Sequence, residues 1–215
     1  MGWDRAIVYD VEVEYGPDEV EGGWDNPEGM GFASAVAFDY GMDQYRFFLG
    51  PKGKLELLKL LHGKTAITFN GVKFDSRVML GNSRNVQHQA DYPLPIVQNS
   101  GHWWFDCDLL LLYIQARFRI DDVGEAEKKL GDKAIHDGSF GLDGLAEGTF
   151  GLHKSGHGAN APILYRQHKY SELLEYNLHD VRLTKKVFEF LCQHEFIVDR
   201  VGRVVRIPAP PRIAP

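Results

Sequence analysis

The sequence predicts an α/β fold in which a mixed five-stranded sheet is flanked by helices. The chain has 215 residues, of which 44% are hydrophobic, so it is long enough to bury one sizeable core. Five apolar or β-branched runs have the length of strands, and they lie near residues 5–13, 32–40, 44–49, 64–69 and 103–107. The first three runs follow one another as in hairpins, whereas each of the last two precedes a helical pattern, which indicates β–α units.

The remaining segments complete this arrangement. Helical periodicity predicts helices near residues 53–61, 74–81, 109–117 and 170–194. Long loops are expected at 16–31, which is rich in Gly and acidic residues, and at 81–102, which contains Pro93 and Pro95. The second loop is long enough to be a functional insertion or to hold short elements that the sequence does not locate. We assign residues 1–200 to a single domain and 201–215 to a terminal strand, the second of a small hairpin, and a Pro-rich tail.

Two carboxylates interrupt the first apolar run. Asp10 and Glu12 are two residues apart on a predicted strand, so both project to the same side. Like charges in an apolar setting are costly unless a cation neutralises them, and a divalent cation with oxygen ligands would do so. The alternative is a strand end that runs into solvent.

The long helical pattern from residue 170 to 194 carries a second polar pair on its apolar side. Tyr176 and Asp180 have the i, i+4 spacing that stacks side chains one turn apart, and both face inward with leucines. They could form a buried hydrogen bond, or Asp180 could bind a metal ion while the phenol of Tyr176 positions a water molecule.

A third position with an acidic residue follows the fourth predicted strand. Asn70 and Gly71 form the expected turn, and Asp75 lies in the first turn of the next helix. An acidic residue there is favoured by the helix dipole alone, so Asp75 is either a capping residue or part of a site.

These segments together resemble the DEDD superfamily of 3′–5′ exonucleases, which have a ribonuclease-H-like fold. The matching motifs are VYDVE at 8–12, NGVKFD at 70–75 and YNLHD at 176–180, and the last has the Tyr-x-x-x-Asp form of the tyrosine subclass. The histidine subclass would need His at position 175, where this chain has Glu. Weaker similarity lies in FDCDLL at 105–110 and in LDGLA at 142–146 with Gly151 and Lys154, so the resemblance spans residues 5 to 195.

The resemblance implies a two-metal mechanism of phosphodiester hydrolysis that releases nucleoside 5′-monophosphates from a 3′ end. It implies that two Mg²⁺ or Mn²⁺ ions are held by Asp10, Glu12, Asp75 and Asp180, with Asp10 bridging them. Tyr176 would orient the attacking water. Asn70 and Phe74 would contact the nucleic acid, although Asn70 could instead brace its turn.

The expected partner is the 3′ end of single-stranded DNA or RNA, with no attached polymerase domain and no membrane. The net charge of −6 does not exclude a nucleic-acid substrate, because four of the acids belong to the site, where bound cations would offset them. Five more acids lie in the 16–31 loop, where they would repel the second backbone of a duplex. Trp24 in that loop either stacks on a base or packs against the body. The alternatives are a non-catalytic binding or scaffolding protein of the same fold, or an endonuclease.

The cysteine and histidine content refines these expectations. Only Cys107 and Cys192 are present, both within predicted elements, which favours buried thiols over a disulfide. We therefore expect a cytoplasmic protein, of a bacterial cell or a phage-infected host. His153 and His157 have a spacing compatible with zinc, but Lys154, Ser155 and Gly156 between them indicate a loop, so a zinc site is disfavoured.

Overall fold

Seven strands form one mixed sheet in the computed structural model, which describes residues 3–82, 84–86, 93–98, 101–152 and 160–208. The strands are β1 (Ala6–Val13), β2 (Phe32–Asp39), β3 (Gln44–Leu49), β4 (Thr65–Thr68), β5 (Asn85–Val86), β6 (Leu94–Val97) and β7 (Trp103–Asp108). Their order across the sheet is β3-β2-β1-β4-β7-β6-β5. The β1–β4 and β4–β7 pairs are parallel, and the other neighbouring pairs are antiparallel.

The five predicted strands are present and occupy adjacent positions in the sheet, from β3 to β7. The predicted number of strands was wrong, because β5 and β6 come from the 81–102 segment that was expected to be a loop. That segment contains Pro95, and proline cannot donate to a strand ladder. In the structure Pro95 pairs with Phe105 of β7, and among the described residues β5 pairs with Ile96 and Val97 of β6.

Helices cover the sheet. They are α1 (Gly50–Leu61), α2 (Asp75–Leu80), α3 (Leu109–Phe118), α4 (Val123–Leu130), α5 (Leu142–Phe150), α6 (Ala161–Arg166) and α7 (Tyr170–His194). The four predicted helices are confirmed to within a few residues. Helix α4 was not predicted, because its short segment is charged and punctuated by glycine.

Strand β1 lies at the centre of the fold, between β2 and β4. Apart from Asp10, which is partly exposed, every residue of β1 is buried, and so is every residue of β2. Helix α7 packs across both strands and buries one face against them. This face consists of Leu173, Asn177, Asp180, Val181, Leu183, Thr184, Val187, Phe188 and Leu191. The prediction that Asp180 faces inward is therefore confirmed.

The chain continues after α7 into an antiparallel pair, β8 (Phe196–Val198) and β9 (Val204–Arg206), which is the predicted terminal hairpin. Residues 209–215, predicted to form a Pro-rich tail, lie outside the described residues, so the division at residue 200 stays a prediction. Cys107 and Cys192 are free thiols, as predicted, but only Cys107 is buried, whereas Cys192 is partly exposed. Among the described helices, none combines the length and the apolar character needed to cross a membrane.

Candidate metal centre

Three carboxylates from two distant segments meet where α7 crosses β1. The three carboxylates each place one oxygen within 4.8 Å of the others, and they belong to Asp10, Glu12 and Asp180. Asp10 and Glu12 reach the same side of β1 because strand side chains alternate, and Asp180 approaches from the buried face of α7. The register between β1 and β2 shifts just after Glu12, and such irregularities often re-aim side chains beside functional sites.

The fourth predicted acid, Asp75, lies beside this cluster but is not a member of the group within 4.8 Å. Asp75 is the first residue of α2, and its Oδ1 accepts a hydrogen bond from the backbone N–H of Val11 at 2.9 Å. The side chain is buried. Burial, followed by the negative charge of Asp10, raises the pKa of Asp75 well above its usual range. Asp75 is thus bonded to the residue between the two acids of β1, and the charge of Asp10 acts on it.

Asn177, one turn before Asp180 on α7, holds the Asp10 carboxylate. Its Nδ2 donates to Asp10 Oδ2 at 2.7 Å, and the side chain is fully buried. Sequence reasoning gave Asn177 no role. The available signal was a polar residue on the buried face of a helix, three positions before a predicted ligand.

Asp108 at the end of β7 fixes the turn that leads to Asp75. Its carboxylate accepts hydrogen bonds from the backbone N–H groups of Asn70 at 3.0 Å and Val72 at 3.1 Å. Asn70 has a φ of 69°, in the left-handed region, which Asn tolerates better than most residues. Gly71 is required, because a Cβ there would lie 2.3 Å from Thr68 Oγ1. Asn70 therefore bends the chain into α2. This is the bracing role, one of the two roles predicted for Asn70; its contact with nucleic acid stays a prediction.

A second buried carboxyl lies two residues before Asp108 on the same face of β7. Asp106 Oδ1 accepts a hydrogen bond from Thr68 Oγ1 at 2.7 Å, and Trp104 Nε1 lies 3.4 Å from its Oδ2. Burial and the charge of Asp108 raise the pKa of Asp106 to about 7. Burial likewise raises the pKa of Asp108 to about 6.

The acids open into a cavity of about 830 Å³, which is large enough for a nucleotide. Tyr176, Asn70 and Phe74, the other predicted site residues, line it together with all four acids. Trp24 also lines the cavity and is 68% exposed, so it does not pack into the body. Its ring centroid lies 6.1 Å from that of Phe74, which gives the cavity an aromatic rim.

The loop of residues 16–31 forms one wall of the cavity through three short 3-10 turns, Pro17–Glu19, Gly23–Asp25 and Pro27–Met30. The N–H of Asn82, just after α2, donates to Glu28 Oε2 at 2.9 Å. Arg166 of α6 contacts Glu19, with Nη1 and Oε1 at 2.7 Å. The loop is therefore bonded to the structure on two sides. The sequence predicted the loop but not these contacts.

His153, Lys154 and His157 lie outside the described residues. Comparison with protein-family models gave no match, and comparison with curated proteins gave none either. The function must therefore be inferred from the geometry of the site and from the motifs in the sequence.

Proposed function

We propose that the protein is a metal-dependent 3′–5′ exonuclease with a ribonuclease-H-like fold, of the tyrosine subclass of the DEDD superfamily. The convergence of Asp10, Glu12 and Asp180 within 4.8 Å, with Asp75 buried beside them, carries the proposal. The sheet supports it, since β3-β2-β1-β4-β7 contains an antiparallel trio followed by two parallel strands, as expected for this fold. Strands β5 and β6 would then extend that sheet.

The donor set fits divalent magnesium or manganese. All four candidate ligands are carboxylates, which suit these hard cations, whereas zinc or copper would favour His or Cys. Burial is the first cause of the raised pKa of Asp75 and the charge of Asp10 is the second, and bound cations would relieve the second. Asp10, Glu12, Asp75 and Asp180 would hold the ions.

Two bound ions would supply the activation of the attacking water and the stabilisation of the leaving 3′-oxygen. The residues of the chain then have separate tasks. Asn177 fixes the orientation of Asp10 through its 2.7 Å hydrogen bond. Tyr176 orients the water and does not act as a base, because an ordinary phenol has a pKa of about 10. Positioning of this kind lowers the entropic part of the barrier.

The substrate we propose is a single strand that enters by its 3′ end. Phe74 and the exposed Trp24 offer aromatic faces on which unpaired bases can stack. The loop wall contributes Asp18, Glu19 and Asp25 to the cavity lining, and these acids would repel the second backbone of a duplex. Among the described residues, no feature of the site assigns it to DNA or to RNA, so both are substrates to test.

The experiment is degradation of a single-stranded 20-mer labelled at its 5′ end, as DNA and as RNA. We expect a ladder of shortening labelled products with Mg²⁺ or Mn²⁺ and none in excess chelator, while Ca²⁺ supports little turnover. Asp180→Asn should abolish the ladder. Glu175→Gln, an exposed position on the same helix, should not.

Two results would favour the alternatives. Cleavage of a circular single strand at a similar rate would identify an endonuclease. Binding of the strand without cleavage under any metal would identify a non-catalytic nucleic-acid-binding protein. Full cleavage in chelator would contradict the metal mechanism altogether.

A further inference from the structure

Few basic side chains among the described residues line the cavity, although the proposed substrate carries a negative charge at each phosphate. The Lys and Arg residues among the described lining residues are Lys73, Arg77 and Arg166. Lys73 Nζ donates to the carbonyl oxygen of Glu127 at 3.1 Å. Arg77 Nε donates to Asn82 Oδ1 at 2.9 Å, and its Nη2 donates to the carbonyl oxygen of Asp25. Both residues thus hold neighbouring segments together, so Arg166 is the candidate for contact with substrate among the described lining residues.

Arg166 has hydrogen-bonding capacity to spare. It is the last residue of α6, and its Nη1 donates to Glu19 Oε1 at 2.7 Å and to the carbonyl oxygen of Glu14 at 3.4 Å. Both of these hydrogen bonds use Nη1, so among the described residues Nε and Nη2 have no hydrogen-bond partner. The planar fork of an arginine matches two oxygens of a phosphate.

The partner of Arg166 can release it at little cost. The side chains of Arg166 and Glu19 are 40% and 42% exposed, and ion pairs this exposed contribute little to stability. Glu19 also has a second anchor, because its Oε2 accepts the backbone N–H of Gly16 at 2.8 Å. When Arg166 leaves, the Glu19 carboxylate therefore keeps a hydrogen bond and its place in the loop.

We propose that Arg166 binds a backbone phosphate of the strand in the cavity, and that Glu19 occupies the guanidinium until the strand arrives. The inference rests on the proposed function, since it requires a nucleic-acid substrate. Exchange of one carboxylate for one phosphate leaves neither Arg166 nor Glu19 without a partner. Arg166 is in this account a substrate-binding residue that stands apart from the metal ligands.

The test is binding of 5′-fluorescein-labelled dT10 by fluorescence anisotropy in Ca²⁺, with a gel to check that the strand stays intact. We expect Arg166→Gln to weaken binding about tenfold, as for loss of a charged hydrogen bond. The slope of log affinity against log salt should fall by about 0.7, the value for one phosphate contact on a single strand. Arg166→Lys, which keeps the charge and loses the fork, should be intermediate.

Glu19 provides the second arm. Glu19→Gln should tighten binding by about two- to fivefold, because it removes a competitor for the guanidinium. The double variant should bind like Arg166→Gln alone if Glu19 acts only through Arg166. Arg46→Gln is the control, since it removes an exposed arginine on β3, outside the described cavity lining.

Two outcomes would overturn the inference while leaving the proposed function intact. In the first, Arg166→Gln has the same affinity and salt slope as Arg46→Gln. In the second, Glu19→Gln weakens binding as much as Arg166→Gln does. The second would make the pair a structural brace of the loop. A wild-type protein that binds no oligonucleotide would overturn the proposed function as well. Melting temperatures of all variants separate loss of contact from loss of fold.

Discussion

Replacing Asp108 by Ala should destabilise the protein and disorganise the turn that carries Asp75. The Asp108 side chain is fully buried. Its Oδ1 accepts backbone N–H groups from Asn70 at 3.0 Å, Leu110 at 3.0 Å and Leu111 at 3.3 Å. Its Oδ2 accepts the N–H of Val72 at 3.1 Å. One carboxylate thus caps α3 and holds the start of the segment leading to α2.

The expected magnitude follows from these contacts. Four hydrogen bonds to a charged group, at about 1.5 kcal/mol each, sum to about 6 kcal/mol. Desolvation of the buried carboxylate opposes this, and it outweighs the hydrogen bonds enough to raise the pKa of Asp108 to about 6. The net loss for Asp108→Ala is therefore smaller than the sum, about 3 kcal/mol, in the range typical of a broken buried hydrogen-bond network. Asp108→Asn should lose about 1 kcal/mol, because its oxygen can retain the three bonds of Oδ1.

The assay is urea denaturation at pH 7 in chelator, with Asp122→Ala as the matched control. Asp122 also caps a helix, α4, but it is exposed and accepts one hydrogen bond, from the N–H of Glu125 at 2.8 Å. Its loss should cost about 1 kcal/mol. If Asp108→Ala is no more destabilising than Asp122→Ala, the role we assign to Asp108 is refuted.

Three further predictions concern buried or site residues. Asp75→Asn should raise the melting temperature in chelator at pH 8. The amide oxygen can still accept the Val11 N–H, and the substitution removes a charge that burial disfavours. A lower melting temperature would contradict this prediction. Tyr176→Phe should retain Mn²⁺ affinity and lose about 10–100-fold in cleavage rate, less than Asp180→Ala loses, and an unchanged rate would remove the phenol from the mechanism. Burial raises the pKa of Asp106 to about 7, so between pH 4 and 7 the folded state holds a proton that the unfolded state has released. The contribution of Asp106 to the free energy of unfolding therefore falls by up to about 4 kcal/mol as the pH rises from 4 to 7. Asp106→Asn should flatten that part of the pH dependence in urea titrations, and an unchanged profile would show that Asp106 does not cause it.

Local periodicity predicted the acids that now cluster. Asp10 and Glu12 share a side because strand side chains alternate. Asp180 faces inward because it continues the apolar stripe of a long helix. Both patterns are properties of the sequence alone, and the meeting of the two segments followed from the family resemblance.

Features that depend on tertiary contacts were beyond sequence reasoning. Asp108 and Asn177 act through hydrogen bonds to groups 36 and 167 residues away, which no local pattern encodes. Strands β5 and β6 were missed because a short strand containing proline reads as a loop until its partner is known. The pairing of Glu19 with Arg166 joins segments 147 residues apart and was missed for the same reason.

The central claim is that Asp10, Glu12 and Asp180 form a divalent-cation site, and Mn²⁺ binding measured by calorimetry tests it most directly. The wild-type protein should bind Mn²⁺, and Asp180→Asn should bind it at least about tenfold more weakly, because one of the clustered carboxylates is lost. Glu175→Gln, an exposed acid on the same helix, should leave the affinity unchanged. Equal Mn²⁺ affinity in wild type and Asp180→Asn would contradict the account.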